Sequence, residues 1–91
     1  MDELIKLLNK RGIYITLKIL SLFDNFRADK HSFYRKLNEF SYYNSFLRIK
    51  NKLLESELLN ISNHNKTAYY ELTSKGKRMF FLLKELQNLL R

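Results

Sequence analysis

The sequence predicts an α+β fold, mainly α, in which helices bracket a single two-stranded hairpin. Three stretches carry that expectation. Leu53-Leu54-Glu55-Ser56-Glu57-Leu58-Leu59 reads as the end of an amphipathic helix running straight into an apolar strand. Tyr69-Tyr70-Glu71-Leu72-Thr73-Ser74-Lys75-Gly76-Lys77 reads as a strand that stops at a threonine cap and opens another helix. Between them, Ser62-Asn63-His64-Asn65-Lys66-Thr67 is a polar turn flanked by β-prone runs, the pattern of a hairpin.

Taken in order, the first expected element is a short amphipathic helix over 1–12. Asp2 and Glu3 suit a helix start, Leu4, Leu7 and Leu8 share a face, and Lys10-Arg11-Gly12 supplies a basic last turn and a glycine stop. From Ile13 to Phe26 two periods compete. Ile13, Ile15, Thr16 and Ile19 favour a strand, whereas Ile13, Leu17, Leu20 and Phe23 follow helical spacing, and the length favours a helix from Tyr14 to Asp24. Asp29 or Ser32 can cap the next helix, which turns Phe33 and Leu37 inward and ends near Phe40.

Ser41 is the expected cap of a helix from Tyr42 to Glu57. At about 100° per residue Phe46, Ile49 and Leu53 fall together, with Tyr43, Leu47 and Leu54 alongside. The opposite face collects Asn44, Ser45, Arg48, Asn51, Lys52 and Glu55, and Lys50 must snorkel from the apolar side. Leu58 to Ser62 then pairs with Thr67 to Leu72. Thr73 caps a last helix starting at Ser74, and Gly76 in its first turn lets the backbone approach a neighbour. Met79 to Leu83 is apolar nearly all round, with Phe80 and Phe81 on different sides. The second half of the helix keeps one stripe, Leu82 or Leu83 with Leu86, Leu89 and Leu90, spaced as a coiled-coil seam.

The bulk properties bound the function. Ninety-one residues fit one domain, and an apolar fraction of 45% provides a core to set against chain entropy. A net charge of +8 suits a polyanionic partner. With no cysteine there is no disulfide framework, thiolate metal site or cysteine nucleophile. No apolar run approaches the ~20 residues that span a bilayer. The acidic start Met1-Asp2-Glu3 is unlike a signal peptide, so the expected compartment is the cytoplasm. His31 and His64 are the only histidines and fall in different elements, and no phosphate cradle or metalloprotease motif occurs. No enzyme activity, metal, cofactor, small-molecule ligand or membrane partner is expected.

With the elements placed, the chain resembles the archaeal winged helix-turn-helix transcription regulators, broadly of MarR and PadR type, over about residues 13 to 83. Phe40-Ser41-Tyr42, the 53–59 stretch and the 69–77 stretch carry the resemblance. It is also similar to the small basic winged-helix proteins of archaeal viruses and chromatin, some of which dimerise through a C-terminal helix. The family pattern commonly has Leu-Leu-Glu-x-Gly-Leu-Ile in the first stretch, so Glu57 here stands in place of the glycine. One extra residue also separates Ser41 from Leu53. The resemblance implies a winged-helix core over 13–73 with a two-stranded wing, and a C-terminal dimerisation helix over 74–91.

In a helix-turn-helix the second helix enters the major groove. Tyr42, Asn44, Ser45, Arg48, Asn51 and Lys52 are then the candidates for double-stranded DNA on helix 42–57. Asparagine can pair bidentately with adenine and arginine with guanine, whereas tyrosine suits phosphate. Lys30, Arg35 and Lys36 extend the basic surface, and His64, Asn65 and Lys66 at the wing suit the backbone or the minor groove. A solvated helix face shows the same polarity, but the basic run from Arg27 to Lys52, with only Asp29 and Glu39 against it, favours DNA. Leu82, Leu86, Leu89 and Leu90, with Leu4, Leu7 and Leu8 beside them, are the expected homodimer interface. Two rivals are a winged-helix module that docks proteins without reading sequence, and a membrane-surface binder acting through Lys6, Lys10 and Arg11.

Overall fold

The computed structural model describes residues 12–90. The expected helix over 1–12, with Leu4, Leu7 and Leu8, lies outside them. The described chain runs α1 (Ile13–Ser21), a 3-10 turn (Asp24–Phe26), β1 (Arg27–Asp29), α2 (Lys30–Glu39), α3 (Tyr43–Glu55), β2 (Leu59–His64), β3 (Thr67–Leu72) and α4 (Ser74–Leu89). The strands form one antiparallel sheet in the order β1-β3-β2. The fold is α+β, mainly helical, and the arrangement is compatible with a winged helix.

Helix α1 resolves the competition of periods in favour of helix, because Ile13, Leu17 and Leu20 form a stripe that is buried completely or nearly so. It begins at Gly12, whose φ of 101° needs a residue without a Cβ. The Gly12 carbonyl accepts from both the Thr16 amide and the Thr16 hydroxyl, at 2.8 and 2.6 Å. The helix stops at Ser21, not Asp24. Asn25 and Phe26 take φ values of 59° and 56°, which turn the chain into β1. That strand was not expected. Three residues are too few to show alternation, and only the pairing of buried Ala28 with Tyr70 reveals it.

Helices α2 and α3 both end in the same way. Asp29 caps the start of α2, with its Oδ2 accepting from the Ser32 amide at 3.0 Å. Hydrogen bonds from Ser32 hold the Asp29 carboxyl below its ordinary pKa. At the other end the Tyr42 amide donates to Leu37 O and the Ser41 amide to Asn38 O, a Schellman closure with Ser41 at φ 59°. Ser41 therefore ends α2 and does not cap α3, whose N-cap is Tyr42 with no side-chain cap bond. At the end of α3 the Leu58 amide donates to Leu53 O and the Glu57 amide to Leu54 O, with Glu57 at φ 60°. A glutamate thus adopts the left-handed conformer that glycine takes freely, at a cost of roughly 1–2 kcal/mol.

The hairpin is longer and tighter than its polar sequence suggests. The register runs from Leu59 opposite Leu72 to His64 opposite Thr67, which leaves a two-residue turn of Asn65 and Lys66. Both have positive φ, 49° and 68°, the sense that matches the twist of paired strands. Asn63 and His64, expected in the turn, lie in β2.

The core joins every described helix to the sheet. At its centre Phe33 from α2 meets Phe46 from α3 edge-on at 5.0 Å, and Tyr70 from β3 at 5.3 Å. The Tyr34 and Tyr70 hydroxyls lie 3.1 Å apart. Burial and that hydrogen bond push the Tyr34 pKa up to about 12.

Helix α4 starts against the end of α3. Thr73 Oγ1 accepts from the Gly76 amide at 2.9 Å and donates to Glu57 O. Lys75 Nζ donates to Ser56 O at 2.9 Å, and the Thr73 amide donates to Leu58 O at 3.2 Å. A Cβ on Gly76 would stand 2.1 Å from Leu58 O, so only glycine fits. The two stretches most informative in the sequence therefore touch one another. Further along, Phe80 stacks on Tyr14 at 5.9 Å and is buried, whereas Phe81 is 53% exposed.

Candidate nucleic-acid interface

Burial of Phe46, Ile49 and Leu53 sets the rotation of α3. The same rotation turns Asn44, Arg48, Asn51 and Glu55 outward along one line, with Lys52 beside them, and all five are exposed. Asn44, Arg48 and Asn51 occupy the N-terminal and middle turns, whereas Lys52 and the carboxylate of Glu55 lie in the last turn.

Other candidates on this helix sit differently. Ser45 is half-buried, and its Cβ would lie 3.1 Å from a Cβ on Gly12, so it faces the start of α1. Tyr42 is half-buried and packs on the core. Lys50 is half-buried with its Nζ 5.9 Å from the Tyr70 ring centroid, its stem lying along the apolar side as expected. Leu47, expected beside the core, is 45% exposed. At 100° per residue it falls well round from Phe46, toward Asn51.

On α2, Lys30 and Arg35 are exposed. Arg35 Nη2 lies 2.9 Å from His31 Nε2, and Lys36 pairs with Glu39 at 3.0 Å. The Lys36 charge is thereby matched within the helix, whereas the Arg35 contact with the imidazole leaves its charge uncompensated. His64, Asn65 and Lys66 are all exposed at the hairpin end.

Folding brings two distant parts of the basic sequence together. Asp29, Lys30, His31 and Tyr34 at the start of α2 share an open cleft of about 370 Å³ with Lys66 and Thr67 of the hairpin. Lys30 and Lys66 thus line one cleft, and Lys30 Nζ lies 5.5 Å from the Tyr34 ring centroid. His31 in this cleft went unrecognised in the sequence, where it reads as a helix-start surface residue. Only the pairing of β3 with β1 sets it opposite the hairpin, and no local pattern encodes that.

A second surface lies on α4. Leu82, Leu86, Leu89 and Leu90 are all exposed, and Met79, Leu82, Leu83, Leu86 and Leu89 line an apolar groove of about 280 Å³. Among the described residues there is no cluster of three or more potential metal ligands, and no helix long and apolar enough to cross a membrane. Comparison with protein-family models, curated proteins and solved structures finds no match.

Proposed function

We propose that the chain is a double-stranded DNA-binding protein of the winged helix-turn-helix type, acting as a dimeric transcription regulator. Helix α3 enters the major groove and the Asn65-Lys66 turn lies on the backbone or in the minor groove. The observation that carries this reading is the outward line Asn44, Arg48 and Asn51 on α3, within a domain whose open cleft is lined by both Lys30 and Lys66. Amide and guanidinium groups are the ones that pair bidentately with adenine and guanine edges, and paired ammoniums suit phosphates. The leucine stripe on α4 is the self-association surface in this reading. A two-fold dimer would present two copies of α3 to one face of the duplex, about 34 Å apart for successive turns.

The exposed leucines also support a second reading, a winged-helix module that docks on a protein within a nucleic-acid assembly. The two differ in what α3 does. Under the DNA reading Arg48→Ala loses sequence preference, because a bidentate base contact is worth about 1–3 kcal/mol of discrimination. Lys66→Ala weakens preferred and random duplexes alike and makes the salt dependence shallower. Fluorescence anisotropy with both duplexes measures this. An Arg48→Ala protein with unchanged affinity and preference would show that α3 is not the reading element.

A further inference from the structure

We infer that Leu47 reads the C5-methyl group of thymine, and that the partner duplex carries A·T pairs under the middle of α3. The inference rests on the duplex-binding reading above. Outside α4 and its C-cap Leu90, the exposed large apolar side chains among the described residues are Leu22, Phe40 and Leu47. The first two follow the last residues of helices, where the chain turns. Leu47 alone stands inside a helix, 45% exposed, with Asn44 one turn before it and Arg48 and Asn51 after it.

Tyr43 and Leu54, which flank Leu47 along the helix, are half-buried against the core. Leu47 therefore leaves one small exposed apolar spot beside Asn44, Arg48 and Asn51, short of the contiguous few hundred Å² that a protein-docking patch takes. The spot is the right size for one methyl group. In the major groove thymine alone offers such a group, and the adenine paired with it offers the N6 and N7 atoms that an asparagine amide matches. The spacing agrees. Asn44 and Asn51 are separated by about 10 Å along the helix axis, roughly three base-pair steps of ~3.4 Å. Three steps enclose two base pairs between the Asn44 and Asn51 contacts, and Leu47, between the two asparagines in the chain, faces one of those two.

Exchanging thymine for uracil removes the methyl and nothing else, which makes the test specific. A duplex selected from a random pool by the intact protein is remade with uracil at each thymine in turn. The protein is expected to bind about 4-fold more weakly when the contacted methyl is removed, the value of one buried methyl-sized group. Leu47→Ala, an exposed change to the best helix former, keeps its helical circular dichroism. It is expected to bind the thymine and uracil duplexes equally. No uracil position that weakens the intact protein, or a penalty that persists undiminished in Leu47→Ala, would overturn the inference while leaving duplex binding in place. Failure to bind any duplex would overturn both.

Discussion

Gly76→Ala is expected to lower the melting temperature by about 10–20 °C, the largest effect of any single methyl addition in the described chain. The added Cβ would stand 2.1 Å from Leu58 O, and the obstacle is backbone. Leu58 O cannot swing aside cheaply, because it also accepts from the Thr73 amide. Relief therefore requires α4 to lift from the Ser56-Glu57-Leu58 turn, with loss of the Thr73 and Lys75 contacts there. Overpacking of this kind costs about 1–3 kcal/mol and sometimes more. Alanine recovers up to about 1 kcal/mol of helix propensity, and the lost contacts offset that gain. A net loss near 2–3 kcal/mol corresponds to the stated shift for a domain of this size, at roughly 4–8 °C per kcal/mol. Ser74→Ala, at an exposed position two residues earlier, is the control and should melt within a few degrees of the parent, because exposed substitutions usually stay within about 0.5 kcal/mol. Equal melting of the Gly76→Ala and parent proteins would show that α4 does not dock through this approach.

The double substitution Leu86→Glu, Leu90→Glu is expected to convert a dimer into a monomer without unfolding the protomer. Both side chains are exposed in the single chain, at 45% and 86%, so neither charge is buried by it. Burying such a leucine in an interface contributes roughly 1.5–3 kcal/mol. Two lost from each chain, with four carboxylates brought together, exceed what a small interface can absorb. Sedimentation at micromolar concentration should give a dimer for the parent and a monomer for the variant, with identical far-ultraviolet circular dichroism. A monomeric parent would refute self-association. A dimer indifferent to the two charges would place the interface elsewhere.

How far the sequence could be read depended on whether the information was local. Thr73 and Gly76 were legible because a cap and a close approach need particular residue types. The rotation of α3 was legible because Phe46, Ile49 and Leu53 repeat at helical spacing. Ser41 misled because serine is a common N-cap, yet here the chain needed a left-handed residue to close α2. Glu57 plays the same part at the end of α3, in the position where the resembled family commonly has glycine. Strand β1 was invisible because it exists only through its pairing with β3.

The candidate interface divides along the same line. Asn44, Arg48 and Asn51 follow from periodicity alone. Ser45 and Leu47 do not, because the start of α1 covers one and the other stays 45% exposed beside the core. The cleft that unites Lys30, His31 and Lys66 comes from strand register, which brings residues far apart in sequence together.

The central claim, that this basic domain holds duplex DNA through its phosphates as well as its bases, is tested most directly by titrating the protein against duplex over a range of salt concentrations. If about 4–8 phosphates are neutralised per dimer, a plot of log affinity against log salt should fall with a slope of about −4 to −7. A slope near zero, or no binding at low salt, would contradict the claim and favour a protein partner for the same surface.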